Sequence, residues 1–198
     1  MKKSSILILI IICLVGCKKG SNETTITGEI KGLGTDTLYL YGMDELYDRI
    51  DTIYVENDKF SYTTSVDTIT SAYLLLKNRI EYPVFLDKGN KIKIKGDTIN
   101  LNFLTISGNI YNEEFTDFQK ALEDPADPSE KAGEETVDKR ITVEKANTAE
   151  EMAEEFILQH HSSYVSLYLL DKYFVQKETP DFSKIKKLVE VMTGVLQD

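Results

Sequence analysis

The strongest constraint on the fold is an alternation of apolar and polar residues in short segments across residues 24–108. In residues 91–95, for example, Ile92 and Ile94 alternate with three lysines. Successive side chains of a strand point to opposite faces, so this pattern indicates strands with one buried face. Eight such segments, separated by turn-forming residues, predict an all-β antiparallel sandwich or open barrel.

The predicted strands are residues 25–31, 37–41, 49–55, 60–64, 72–76, 82–86, 91–95 and 104–107. Residues 72–76 and 82–86 are the most continuously apolar, which favours central positions in a sheet. Asn57 and Asp58 lie between two of the segments and predict a hairpin turn.

The period changes to that of a helix after residue 108, where Phe115, Phe118 and Leu122 share one helical face. A capping box at Thr148 and Glu151 predicts another helix. Residues 164–174 predict a further helix, and Pro180 is expected at the first position of a last one. The apolar stripe of that last helix consists of Phe182, Ile185, Leu188, Val189, Met192 and Leu196.

The predicted division of the chain is a signal peptide (residues 1–16), a lipidated tether (17–24), a β-sandwich domain (25–118), a helix end with an acidic linker (119–147) and a helical region (148–198). The linker assignment rests on low apolar content, which leaves little surface to bury.

The N-terminus has the charged, apolar and small-residue order of a secretory signal. Residues 6–16 are too few for a transmembrane helix, which needs roughly 20 apolar residues. Leu14-Val15-Gly16-Cys17 resembles the lipobox of bacterial lipoproteins at all four positions. The resemblance implies cleavage between Gly16 and Cys17 and acylation of Cys17. The alternative is a plain secretory signal that leaves Cys17 as a free thiol.

The membrane is therefore an expected partner, through lipid on Cys17. One acyl chain holds a protein only marginally, at about 0.8 kcal/mol per buried methylene. The resemblance implies two or three chains, which suffice for stable anchoring. Lys18 does not resemble the aspartate that retains some lipoproteins at the inner membrane. We therefore expect the cell envelope, at the outer membrane and facing the periplasm.

Charge and cysteine content exclude two classes of function. Loss of two lysines with the signal lowers the net charge from −10 to −12, which argues against nucleic acid as a partner. The two cysteines are Cys13, which leaves with the signal, and Cys17. A mature chain without a thiolate cannot itself run thiol chemistry. No catalytic motif, resident cofactor or metal set is recognised either, so we expect a protein that is not an enzyme.

Seven segments of the β region resemble the domain-of-unknown-function 4369 family in their order and spacing over residues 24–118. These segments are Ile26-Thr27-Gly28-Glu29-Ile30, Leu38-Tyr39-Leu40, Ile50-Asp51-Thr52, Asp58-Lys59-Phe60-Ser61-Tyr62, Tyr82-Pro83-Val84-Phe85-Leu86-Asp87-Lys88-Gly89, Ile92-Lys93-Ile94-Lys95-Gly96-Asp97 and Ile106-Ser107-Gly108-Asn109. One departure is Asp58, where the family often has glycine; aspartate also tolerates a turn conformation.

The resemblance implies an envelope lipoprotein of a Gram-negative bacterium. In that family the β domain commonly precedes helices and a thioredoxin-like domain, as in thiol–disulfide oxidoreductases of the TlpA type. Residues 156–170 resemble the helical stretch. No catalytic residue is carried over, because the positions that would carry catalysis are absent from this sequence.

Four Asp-Thr-aliphatic triplets resemble an O-glycosylation signal of some bacterial envelopes. Their threonines are Thr37, Thr52, Thr68 and Thr98. The alternative is structural, with Asp ending a turn and Thr opening a strand. Both readings remain open from the sequence.

Two further groups bear on binding. The adjacent His160 and His161 point about 100° apart on a helix, so a helix end is a better explanation than a metal site. Five strand tyrosines are candidates for an aromatic surface that binds sugar or peptide, the alternative being that they cover a core edge. They are Tyr39, Tyr41, Tyr47, Tyr54 and Tyr62.

Three functions follow, in order of preference. The first is a membrane-anchored envelope lipoprotein with a non-catalytic binding or scaffolding domain. The second is a truncated or split accessory half of a thioredoxin-like oxidoreductase, whose last helix docks a thioredoxin-like partner. The third is a surface lipoprotein that binds glycan or peptide.

Overall fold

A computed structural model describes residues 22–42, 45–123 and 148–192, except for the side chain of residue 78. Its strands are β1 (Glu23–Lys31), β2 (Asp36–Tyr41), β3 (Ile50–Val55), β4 (Lys59–Ser65), β5 (Thr70–Leu75), β6 (Glu81–Leu86), β7 (Lys91–Asp97) and β8 (Thr105–Ser107). They form two four-stranded sheets, in the orders β4-β1-β7-β8 and β3-β2-β5-β6. The prediction of an open, sandwich-like β domain is confirmed.

One pairing differs from the antiparallel expectation, because β1 and β7 run parallel. The pairing runs from Thr25 beside Lys91 to Lys31 beside Asp97 and covers the whole of β7. Parallel neighbours need a long crossover, and here β2 to β6 supply it. Local alternation cannot reveal this, because it fixes which face a side chain occupies and not which strand lies alongside.

The predicted turn at Asn57 and Asp58 is confirmed. Both residues have positive φ, 51° and 68°, as a tight hairpin turn between right-twisted strands requires. Asp58 thus adopts the backbone conformation for which glycine is the usual choice, so its departure from the family pattern is accommodated.

β5 lies inside its sheet as expected, whereas β6 lies at an edge. The sequence of β6 is continuously apolar not because the strand is central but because the first helix, residues 110–123, covers it. The helices are α1 (Ile110–Glu123), α2 (Ala149–Gln159), α3 (Tyr164–Leu170) and α4 (Phe182–Val191). A π-helical turn, Asp171–Val175, continues α3 and completes the helix predicted to residue 174.

α1 closes the side of the sandwich where β6 and β8 end their sheets. Asn112 accepts a hydrogen bond from the Phe85 N–H (3.0 Å) and donates to the Phe85 carbonyl (2.8 Å). Thr116, one turn later, accepts from the Ile106 N–H and donates to its carbonyl, both at 3.0 Å. One helix therefore takes the place of a neighbouring strand for both sheets.

Thr148 and Asp181 cap the N-termini of α2 and α4, and the sequence predicted only the first of these caps. Thr148 and Glu151 form the predicted capping box. The prediction that Pro180 occupies the first helical position is wrong, because α4 begins two residues later. Asp181 caps it and accepts hydrogen bonds from the N–H groups of Ser183 and Lys184. A carboxylate that satisfies two orphan donors defines the start better than proline does.

The apolar stripe predicted for the last helix divides in the structure. Leu188 and Met192 are buried and Ile185 packs against the core, whereas 76% of Phe182 is exposed. The helix ends at Val191, since Met192 has extended backbone angles. Leu196 lies outside the described residues, as do residues 1–21 and 124–147, which hold the signal, most of the predicted tether and the acidic linker. The prediction that the tether extends to residue 24 is wrong, because Glu23 and Thr24 belong to β1 and Thr24 is buried.

Candidate functional site

The outer face of β2 and β3 is the most exposed aromatic surface in the described residues. Alternation buries Leu38 and Leu40 of β2 and Ile53 and Val55 of β3. The residues that alternate with them in each strand point outward. Tyr54 is 74% exposed, Ile50 73% and Tyr39 41%. We call the outward residues of these two strands the aromatic face; they are Thr37, Tyr39, Tyr41, Ile50, Thr52 and Tyr54.

Register places the members of the aromatic face side by side. Tyr41 lies opposite Ile50, Tyr39 opposite Thr52, and Thr37 opposite Tyr54. Tyr41 also stacks on Tyr73 of β5, with ring centroids 5.9 Å apart. No residue of the aromatic face is charged. Tyrosine presents a flat apolar body with a polar tip, which suits contact with a sugar ring or an extended peptide.

A row of aromatic rings connects the aromatic face, through Tyr73, to helix α3 and the core. Tyr73 lies 6.4 Å from Tyr168 of α3, and Tyr168 lies 5.3 Å from Phe115 and 6.2 Å from Phe85. Burial raises the pKa of Tyr73 and, more strongly, that of Tyr168. The contact between Tyr73 and Tyr168 joins β5 to α3.

Two of the five tyrosines predicted for this surface lie elsewhere. Tyr47 is buried, and its hydroxyl donates to Asp51 at 2.5 Å. Burial and that carboxylate raise the pKa of Tyr47 to about 12. Tyr62 is half-buried and packs against the core. The five tyrosines therefore do not form one surface, because Tyr47 lies in the turn Glu45–Tyr47 before β3 and Tyr62 lies on β4 of the other sheet.

Arg49 and Asp51 complete a polar cluster with Tyr47 that sequence reasoning missed. Arg49 Nε donates to Asp51 at 3.1 Å, and its guanidinium lies 4.8 Å from the centre of the Tyr47 ring. Asp51 lies in β3, and 18% of its side chain is exposed. The cluster bridges the two sheets, because Arg49 also donates to the Ser65 carbonyl of β4 at 2.9 Å.

The opposite face of the molecule carries the lysines. Lys91, Lys93 and Lys95 point outward from β7, as predicted. A groove of about 490 Å³ lies at its end and is lined by Glu29, Lys31, Lys95, Gly96, Asp97, Asn100, Phe103 and Thr105. Glu29 is paired in register with Lys95, and Lys31 with Asp97. Opposite charges in neighbouring strands stabilise each other. The charged residues that line the groove are therefore explained by pairing between β1 and β7, without a ligand.

The four threonines of the Asp-Thr-aliphatic triplets are not brought together. Thr52 is exposed in the middle of β3, and Thr68 is exposed in the bend before β5. Thr37 on β2 and Thr98 in the turn after β7 are half-buried. Thr52 and Thr68 have the accessibility that an attached glycan would need.

The histidines lie at a helix end, as expected. His160 caps α2, stacks on Phe156 with centroids 4.2 Å apart, and its Nδ1 lies 3.4 Å from Glu114. Among the described residues, no three His, Cys, Asp or Glu side chains are grouped so as to hold a metal. In the same residues no helix is long and apolar enough to span a bilayer. Gly16 and Cys17 lie outside the described part of the chain.

The fold is thus an open two-sheet domain closed by helices, and a family comparison agrees with it. The model of the family described as a domain of unknown function, DUF4369, matches residues 24–115. These residues include all eight strands and the start of α1. Residues 24–115 are a DUF4369 domain. Comparisons with curated proteins and with solved structures found no match.

Proposed function

We propose that this chain is a lipid-anchored envelope protein whose DUF4369 domain binds a ligand on the aromatic face without catalysis. The observation that carries the proposal is the joint exposure of Tyr39, Ile50 and Tyr54 on neighbouring strands. Exposed apolar side chains are common singly, but a contiguous group marks an interaction surface.

The proposed ligand is a glycan or an extended peptide. The face is flat and uncharged, and its polar groups are the hydroxyls of Tyr39, Tyr54 and Thr52. Aromatic rings stack on the apolar faces of sugars, while hydroxyls accept and donate hydrogen bonds at the rim. The side chains of the face are themselves uncharged, and the Glu81 carboxylate lies against the Tyr41 hydroxyl at its margin.

The test is binding of the purified full chain in detergent to a glycan array and a library of extended peptides, followed by titration of tyrosine fluorescence. Tyr54→Ala and Tyr39→Ala should each weaken binding, by about tenfold if each ring contributes about 1.4 kcal/mol. Ile99→Ala is the control, since Ile99 is apolar and even more exposed but lies in the turn after β7. Binding that is unaffected by both tyrosine variants would refute the proposal.

The anchor is tested separately at Cys17. Cys17→Ser should abolish lipidation, because serine lacks the thiol that is acylated. Mass spectrometry of the native and variant chains checks this. A lipidated Cys17→Ser chain would contradict the assignment.

A second candidate function, docking of a thioredoxin-like protein, is favoured by the exposed side of α4. Phe182 and Val189 remain accessible although Leu188 of the same helix is buried. A photo-crosslinker at position 182 should capture a thioredoxin-like protein in the envelope. Val175 is an equally apolar control position outside α4, and capture of the same protein from both positions would argue against docking on α4.

A further inference from the structure

The four edge strands of the sandwich differ in whether a side chain bonds to their free backbone groups. Asn112 occupies the edge of β6, and Thr116 that of β8. On β4, Arg49 donates to the Ser65 carbonyl. Within the described residues β3 pairs with β2 alone, apart from one bridge between Glu56 and Lys59 just beyond its end. An unpaired strand edge is a template for another strand.

The bridge shows which backbone groups of β3 face the free side. Glu56 and Lys59 exchange two N–H···O=C bonds, of 2.9 and 3.1 Å, on the side away from β2. Backbone groups along a strand point alternately to its two sides. The N–H and C=O groups of Tyr54, Thr52 and Ile50 therefore also point away from β2, to the free side.

The side chains of β3 do not protect this edge. Proteins commonly block a free edge with lysine, proline or an outward-pointing charge. Between Ile50 and Val55 the one charged residue is Asp51, whose carboxylate is already engaged by Tyr47 and Arg49. The outward residues Ile50, Thr52 and Tyr54 are uncharged, and their types are those preferred in strands.

We propose that β3 pairs antiparallel with β3 of a second copy of this chain, about a two-fold axis at Thr52. In this register Ile50 lies opposite Tyr54 of the second copy, and Thr52 lies opposite its own equivalent. Pairs of an aromatic with a β-branched residue and pairs of threonines are favourable across strands. The strand is therefore complementary to itself, which identifies a second copy as the occupant.

Pairing would join the two exposed sheets into one of eight strands and place the two aromatic faces side by side. The inference stands on the edge of β3 alone and does not require the ligand proposed above. Its tests measure association of the chain in the absence of any glycan or peptide.

The first test uses the two-fold axis. Residues that exchange two backbone hydrogen bonds across antiparallel strands have Cα atoms about 5.5 Å apart, within the range of disulfides. Thr52→Cys should therefore give a covalent dimer on mild oxidation of the full chain in detergent. Thr63→Cys is the control for position, since Thr63 is exposed on β4 of the other sheet. The parent chain is the control for disulfides formed by Cys13 or Cys17. Equal dimer yields from all three chains would overturn the proposal.

The second test removes a donor from the edge. Thr52→Pro deletes an N–H that faces the free side, so the sheet should retain its fold while the dimer is lost. Ile53→Pro deletes an N–H directed to β2 and should instead unfold the domain. Sedimentation equilibrium in density-matched detergent measures the mass, and circular dichroism the fold. A parent chain that is monomeric at all concentrations, or a folded Thr52→Pro chain that dimerises like the parent, would overturn the proposal.

Discussion

Gly28 illustrates at the scale of one residue how the inner face of the sandwich is filled. It lies on β1 opposite Phe60 of β4, and the phenyl ring lies over its backbone. A Cβ atom at this position would lie 2.1 Å from the ring. The absence of a side chain is therefore required by packing and not by backbone conformation.

Gly28→Ala should destabilise the domain by about 1–3 kcal/mol, because the Phe60 ring must leave its rotamer or push the sheets apart. The free energy of unfolding in urea measures this. Ser61→Ala, at an exposed position of the neighbouring strand β4, is the control and should change stability little. Equal effects of the two substitutions would contradict the packing explanation.

Tyr47 gives a prediction for alkaline pH. Its pKa is raised from 10.0 to about 12 in the folded chain, so the fold favours the neutral phenol. The resulting stabilisation is complete below pH 10 and is lost as the pH rises from 10 to 12. The difference in tyrosinate absorbance between the parent and Tyr47→Phe should show one tyrosine that titrates near pH 12. A midpoint near 10 in the folded chain would contradict the assignment.

For single residues, prediction from the sequence succeeded where the interacting residues are close together in the chain. The turn at Asn57 and Asp58 and the capping box at Thr148 depend on neighbours in sequence, and both were predicted. The bond from Tyr47 to Asp51 and the cover of Phe60 over Gly28 depend on how strands are placed in space. Alternation leaves that placement undetermined.

Among the elements, α1 has the largest structural role, since it provides hydrogen-bonding partners for two strands of different sheets. Its sequence was correctly predicted to be helical from Phe115, Phe118 and Leu122. Nothing in that pattern indicated that Asn112 and Thr116 are buried. A polar residue four positions from another on the apolar side of a helix is a signal that could have revealed an edge-covering role.

Asn112→Leu should cost about 1–3 kcal/mol, because the buried Phe85 N–H loses its partner. The Phe85 carbonyl keeps a bond from Asn109 at 2.9 Å, so the N–H carries most of the cost. Unfolding in urea is the measurement. Asn100→Leu makes the same change at an exposed position and should have a smaller effect. Comparable losses would mean that Asn112 does not support the β6 edge.

For the whole molecule, the row of rings from Tyr73 through Tyr168 to Phe85 and Phe115 joins the sheets to the helices. The sequence predicted a β domain (25–118), a helix end with an acidic linker (119–147) and a helical region (148–198), and left open what the helices pack on. In the structure α1 and α3 pack on β6 and complete the hydrophobic core. A division at residue 118 therefore cuts through α1, because patterns along the chain locate changes of period and not boundaries of packing.

Tyr168→Ala should weaken the β domain and the helices together, by at most about 3–5 kcal/mol, which is the cost of deleting a fully buried ring, since Tyr168 is half-buried. Hydrogen exchange followed by segment should show protection falling in β5 and β6 as well as in α2 and α3. Leu167→Ala alters a partly exposed neighbour on the same helix and is the control. Loss of protection confined to the helices would mean that the two parts unfold independently.

The parallel pairing of β1 with β7 has a consequence for how the chain is made. Thr25 cannot reach Lys91 until the ribosome has released more than sixty further residues. Native contacts of such separation form slowly, since a long loop must close first. β1 therefore remains without its parallel neighbour until residues 91–97 have been synthesised. The sheet that contains β1 cannot be completed before that point, so this half of the sandwich forms late and not strand by strand.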